Sequence, residues 1–299
     1  MADLGLPFQG TLKYWIEDDY GSGPTGDALG ISAKVQNVRV SVADKNRKRI
    51  GIDSPEADLV TQTTDISLHV EYVPHCDDTL LKTCLDRGSC GSLNSICFEL
   101  GLNVSCPTAE RVFQLFNGCK AKSAKISSSI NNDYVIVLDF SVKSKSSPTC
   151  EETEEVESTP TGELLSFNNA GLIQRAMPGG AYEDIALILN TIDVTIDNGL
   201  KDYYDHASLE KQYSIEGELA IDGSCDISID YGGTEHLKEV LNQDEFDIHI
   251  ALGGDGCIYV QLHGCRWKSS DAGPDTSGDI MMESAPFTAE SVTIGIEGS

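Results

Sequence analysis

QLHGCRWKSS at residues 261–270 and QLFNGCKAKS at residues 114–123 write Gly-Cys-basic-x-Lys-Ser twice, after the same Gln-Leu and about half a chain apart. A match this short arises by chance in a long chain, so the flanking sequence decides whether it is a repeat. Each copy is preceded by an apolar strand-like run, residues 112–116 and 258–262. Each is followed by a polar stretch and a second strand-like segment, residues 134–142 and 280–292. Ser144 and Ser291 fall three residues after Ser141 and Thr288.

The likeness continues upstream. Residues 79–85 and 235–241 are short amphipathic stretches with Leu-Lys in register and Asp78 or Thr234 in place to cap them, which predicts helices over 79–86 and 235–242. Before them, Ile66, Leu68, Val70 and Tyr72 alternate with polar residues, as do Ile215, Gly217, Leu219 and Ile221, the period-two mark of a half-buried strand. Residues 36–42 match residues 190–196. The order in both halves is strand, polar excursion, strand, helix, strand, strand, polar loop, strand. The expectation is a mainly β chain of two tandem domains, residues 1–142 and 163–299. Residues 143–162, rich in Ser, Pro and Glu, would form a solvated linker with almost nothing to bury.

Composition narrows the function. The longest uninterrupted apolar run is residues 185–189, far short of the ~20 needed to cross a bilayer. No secretory leader is visible at the N-terminus, so folding in a cytoplasm is expected. Of the ten cysteines, Cys97, Cys119, Cys257 and Cys265 sit on or beside predicted strands and read as buried reduced thiols. Disulfides within residues 76–106 remain open if the product leaves the cell. The cysteines lack the Cys-x2-Cys spacing of a zinc site.

An active site is not evident. Gly-Gly-Asp-Gly at 253–256 resembles a nucleotide-kinase turn, but the repeat explains it as a turn between strands. Asp193, Asp197, Asp226 and Asp230 alternate as a sheet's wet face does, which outweighs a Ca²⁺ site. The six histidines have no nucleophile pattern beside them, and neither Gly-x-Ser-x-Gly nor HExxH occurs. No enzyme and no cofactor are expected.

Charge is distributed unevenly. Residues 1–150 hold 15 Lys and Arg against 18 Asp and Glu, whereas residues 151–299 hold 6 against 30, so the net −27 lies almost wholly in the second half. That acidity disfavours tight nucleic-acid binding but suits a surface that nucleic acid slides past; a solubility-driven surface or a salt-rich source explains it equally well. Against it stands one basic island, Lys45, Arg47, Lys48 and Arg49, on a predicted hairpin whose counterpart, residues 197–205, is acidic. The island is either a solvated loop tip or an interface between copies.

A duplicated β domain with one short helix, a long charged hairpin, and the junctions Gly118-Cys119-Lys120 and Gly264-Cys265-Arg266 followed by Phe140-Ser141-Val142 and residues 287–294 resembles the tail tube (major tail) proteins of tailed bacterial or archaeal viruses. The resemblance implies a structural virion protein, made in the host cytoplasm and placed in the tail. It implies stacked rings whose inner wall is a continuous β-barrel passing double-stranded DNA. A two-domain chain would close such a ring as a trimer with pseudo-sixfold symmetry, the two Gly-Cys junctions taking alternate places around it. The hairpin with Lys45, Arg47, Lys48 and Arg49 would contact the next ring. Other tail proteins would be partners, and no membrane is involved. Two alternatives remain: a secreted or surface β-sandwich adhesion module held by disulfides, and the inner tube of a contractile injection device.

Overall fold

The computed structural model describes residues 10–31, 34–50, 57–87, 91–103, 111–129, 132–153, 156, 160, 162–165, 173–177, 180–184, 189–205, 210–228, 242, 244–252, 257–268 and 282–296. In the first half, β1 (Gly10–Ile16), β2 (Leu29–Gly30), β3 (Val35–Ile50) and β4 (Ala57–Tyr72) precede α1 (Leu80–Leu85). Then come β5 (Ile96–Asn103), β6 (Arg111–Ser129), β7 (Val135–Val142) and β8 (Ser144–Lys145). The second half holds β9 (Ile173–Ala176), β10 (Glu183–Asp184), β11 (Leu189–Asp197), β12 (Lys201–Tyr204), β13 (Lys211–Ile215), β14 (Ala220–Ser228), β15 (Phe246–Ala251), β16 (Ile258–Trp267), β17 (Met282–Ala289) and β18 (Ser291–Ile296). The fold is mainly β, and every ladder between these strands is antiparallel.

Period-two alternation drives the strands. Leu68, Val70 and Tyr72 on β4 and Ile136, Leu138 and Phe140 on β7 are buried, while His69 and Asp139 between them stay in reach of solvent and pair at 2.8 Å. Phe98 and Phe140 meet edge to face, with centroids 4.8 Å apart. One buried apolar core runs from these residues into the second half, through Ile192, Val194, Ile250, Leu262 and Phe287.

The pairing order of the first half recurs in the second, with matching register at several places. β5 lies between β1 and β6 as β15 lies between β9 and β16. β1 pairs β2 through Tyr14↔Leu29, and β9 pairs β10 through Arg175↔Glu183 at the equivalent place. Asn117↔Ser144 and Ala121↔Phe140 on β6 correspond to His263↔Ser291 and Trp267↔Phe287 on β16. Val42↔Ile66↔Val142 across β3, β4 and β7 corresponds to Ile196↔Ile221↔Ala289 across β11, β14 and β17.

Several expectations change. Ile66 is matched by Ile221, six residues later than the alternation at 215–221 implied. The chain leaves β13 at Ile215, turns through 216–219 and re-enters a strand at Ala220, with Gly217 N–H bonded to the Asn198 carbonyl at 3.2 Å. The close approach of Gly217 to Gly199, where an added Cβ would lie 2.4 Å from the Gly199 oxygen, explains why glycine stands there. The expected strand 280–292 is two, β17 and β18, broken at Glu290, as β7 and β8 break at Lys143. The first helix forms at Leu80–Leu85, with the Leu80 N–H bonded to the Asp78 carboxylate at 2.9 Å. The second expected helix, 235–242, lies outside the described residues apart from Asn242, and the turn at 253–256 lies outside them too.

Residues 143–153 have mostly exposed side chains, as a linker should, yet their backbone is not loose. Thr149 exchanges two backbone hydrogen bonds with Phe113, and Glu152 reaches the buried Lys13 ammonium at 2.9 Å. Sequence reading misses such ties because backbone pairing leaves no mark on composition.

Candidate assembly surfaces

The two Gly-Cys junctions are β-bulges of one kind. Ile96 faces Cys119 and Phe98 faces Phe116, so Asn117 and Gly118 both oppose Cys97. Phe246 faces Cys265 and Ile248 faces Leu262, so His263 and Gly264 both oppose Asp247. Both glycines are left-handed, with φ of 65° and 61°, the conformation that a glycine bulge requires. Each bulge bends its strand so that it serves two sheets. Cys119 and Cys265 then point into the core, where burial raises both thiol pKa values, that of Cys265 to about 12.

A carboxylate fastens each bulge, from a different source in each half. Glu17 accepts the Gly118 N–H at 3.1 Å, the Gly21 and Gly23 N–H groups at 2.9 and 3.0 Å, and the Ser95 hydroxyl at 2.5 Å. In the second half Asp247, on the facing strand, accepts the Gly264 N–H at 3.0 Å. Nothing in the sequence near either Gly-Cys motif announces Glu17. The basic residues after the cysteines diverge: Lys120 is largely buried and bonds Glu216 at 2.7 Å, whereas Arg266 stays about half exposed between Glu245 and Glu290.

Three features join the halves. Seven residue pairs of β6 and β11, from Ser129↔Thr191 to Ser123↔Asp197, make one continuous sheet. On its inner face Ile126, Ile192, Val194 and Ile196 are buried, which contributes roughly 6–12 kcal/mol relative to exposure. Cys76 and Cys257 form a disulfide across 181 residues of sequence. This corrects two expectations: Cys257 is not a reduced thiol, and Cys76 bonds the other half and not the 76–106 stretch. The spacing of cysteines gave no sign of it, because the partners meet only in the fold. Cys97, Cys119 and Cys265 are buried free thiols as expected; Cys90 and Cys106 lie outside the described residues.

The third feature is the β12–β13 hairpin, the extension of the β11–β14 pair, which lies across the first half at the end of the sheet where β6 bends. Lys211 is buried with its ammonium 2.9 Å from Asp202 and 2.5 Å from Ser141 Oγ. The Ser141 hydroxyl donates to Asp202 at 2.9 Å, and Tyr20 and Ser214 hydroxyls meet at 2.9 Å. Glu216 accepts from the Leu93 N–H at 3.0 Å and from Lys120. Partial burial alone would raise the Glu216 pKa, but the Lys120 ammonium and backbone N–H donors, Leu93 among them, together outweigh it and hold the carboxyl below its usual range. The opposite face of the hairpin exposes Tyr203, Tyr213 and Ile215.

The first-half hairpin is the extension of β3 and β4. Its ladder continues past Ala43↔Asp65 to Ile50↔Ala57, which places Lys45, Arg47, Lys48 and Arg49 on its outer part; their side chains lie outside the described residues. Among the described residues β3 pairs with β4 alone, whereas its counterpart β11 is paired on both edges.

The sheet running from β3 through β4, β7, β6, β11 and β14 to β17 has one face in the core and one wet face. The wet face carries Asp65, Glu71, Asp139, Asp193, Asp197, Asp222 and Asp226 with Arg39, His69 and Lys125, and at its β17 end Arg266 lies in register with it and Lys268 bonds Asp222. Asp193 pairs with Lys125 at 3.0 Å, Asp226 accepts from the Thr191 hydroxyl at 2.8 Å, and Asp197 accepts the Gly199 N–H at 2.8 Å. These carboxylates therefore serve the sheet and do not converge; Asp230 lies outside the described residues. Among the described residues no group of three His, Cys, Asp or Glu is arranged to hold a metal, and no helix is long and apolar enough to cross a membrane. A cleft of about 260 Å³ between α1, β11 and β18 is lined by Leu85, Asp86, Arg87, Asn198, Val292 and Thr293.

No curated protein sequence matches the chain. The family described as "Phage tail tube protein" matches residues 2–289, nearly the whole length, and the chain belongs to that family.

Proposed function

We propose that three copies of this chain close a ring, with the two halves in alternate and nearly equivalent positions, and that stacked rings form the tail tube through which double-stranded DNA is delivered. The observation that carries this reading is the β6–β11 seam. One half already adds its β11 edge to the sheet of the other, and the equivalent edge, β3, has no second strand beside it among the described residues. An uncovered edge invites a further strand, and the repeat supplies a related surface in the second half of another copy. Ring closure satisfies every such edge with a single kind of chain. The two domains, 1–142 and 163–299, are the units that alternate.

In this reading the wet face of the continuous sheet lines the channel. Its carboxylates outnumber the Lys and Arg side chains beside them, which disfavours a hold on phosphate, so DNA passes without being held. The chain does no chemistry; it is a structural part made in the host cytoplasm, meeting copies of itself and other tail proteins. Sedimentation and negative-stain microscopy of the purified chain test the reading: rings or tubes are expected, and a monomer at all concentrations and salt conditions would overturn it.

A further inference from the structure

The β12–β13 hairpin and its seat have been recharged together between the two halves. In the first half the seat carries Lys120 and Lys143 beside the Gly118 bulge that Glu17 fastens, and the hairpin segment that fills it brings Asp202, paired with Lys211 of the same hairpin, and Glu216, which takes the Lys120 ammonium. In the second half the matching seat is acidic. Glu290 replaces Lys143 at the bulge: an added Cβ on Gly118 would meet the Lys143 side chain, and one on Gly264 would meet the Glu290 side chain. Arg266, in the place of Lys120, is flanked by Glu245 and Glu290, and all three side chains are at least two-fifths exposed. The hairpin that corresponds to β12–β13 is the one carrying Lys45, Arg47, Lys48 and Arg49, and it is basic.

We infer that the β3–β4 hairpin of one copy seats across the Glu245–Arg266–Glu290 face of a second copy in the same ring, repeating between chains the contact that β12–β13 makes within one. Inside the chain Glu216, just past the hairpin, meets Lys120 of the seat, and between chains the basic hairpin meets the Glu245 and Glu290 carboxylates. The inference rests on the ring reading above and replaces contact with the next ring as the role of this hairpin. Opposite charge in the two kinds of contact also fixes register, because the β3–β4 hairpin is repelled by the Lys120–Lys143 seat and β12–β13 by the Glu245–Glu290 seat.

Charge reversal tests it on the full chain. Wild type, Arg47→Glu/Lys48→Glu/Arg49→Glu, Glu245→Lys/Glu290→Lys, and all five changes combined are compared by sedimentation velocity and negative-stain microscopy, with thermal unfolding as the check on folding. Each reversal alone should reduce closed rings by about tenfold or more at low salt, while the combined protein recovers them. The two single-sided variants touch opposite partners, so the seat variant carries the same expectation if the hairpin variant fails to fold. A hairpin variant that forms closed rings which do not stack assigns the hairpin to the next ring and overturns the inference, as does one that assembles like wild type. Failure of the combined protein to recover also overturns it. A wild-type chain that never assembles overturns the ring reading itself.

Discussion

Replacing the bulge glycines separately measures what each junction demands. Gly118 and Gly264 have nearly the same left-handed backbone, so alanine at either position costs about 1–2 kcal/mol from that conformation alone. The surroundings differ. At Gly118 a Cβ lies 2.5 Å from Lys143 Cβ, an atom close to the backbone that moves only if the strand moves, which adds about 1–3 kcal/mol of overpacking. At Gly264 it lies 3.0 Å from the outer atoms of the exposed Glu290 side chain, which swings aside at little cost. Gly118→Ala should therefore destabilise by roughly 2–5 kcal/mol and Gly264→Ala by roughly 1–2 kcal/mol. Urea unfolding followed by intrinsic fluorescence, with unchanged slope, reads both. If both variants unfold within ~0.5 kcal/mol of wild type, or if Gly264→Ala is the more damaging, the bulge assignment and the equivalence drawn from it are wrong.

Three further outcomes follow from the interior. Reducing agent should lower the unfolding midpoint of wild type but not of Cys76→Ser, since the 181-residue separation of Cys76 and Cys257 gives a chain-entropy contribution of up to about 5 kcal/mol; equal response of both proteins would remove the disulfide from the account. Asp78, whose pKa burial raises to about 6, binds its proton more tightly folded than unfolded, so its contribution is complete below pH ~4 and is lost as pH rises through 6. Asp78→Asn, which keeps an acceptor for the Leu80 N–H, should flatten that slope and gain up to roughly 3 kcal/mol relative to wild type above pH 6; an unchanged pH profile contradicts it. Glu17→Ala should cost at least about 3 kcal/mol, because it orphans the Gly21, Gly23 and Gly118 N–H groups together; a cost under ~1 kcal/mol in urea unfolding would show that Glu17 does not hold the bulge.

Much of this architecture was legible because period-two burial writes itself into sequence. The runs around Leu68, Ile136 and Val260 became strands, and the two Gly-Cys motifs marked bulges in the same register. Glycine at a left-handed bulge is dictated by backbone sterics, so the mark survives divergence. The strand near Ile215 was misplaced because alternation cannot see a tight approach such as Gly217 against Gly199. Glu17 and the Cys76–Cys257 bond were invisible because each joins groups far apart in the chain. The opposite charge of the two hairpins was plain in the sequence; that Lys143 and Glu290 stand at equivalent places beside the two bulges is visible only in the fold.

The claim that the two halves alternate around a ring of three chains is tested most directly by the rotational symmetry of the assembled particle in electron cryo-microscopy. End views should show six similar lobes that reduce to strict threefold symmetry on averaging, with the acidic wet face of the sheet toward the central channel. Six chains per ring, a ring in which the halves lie at different radii, or a channel lined by the Lys and Arg side chains would contradict it.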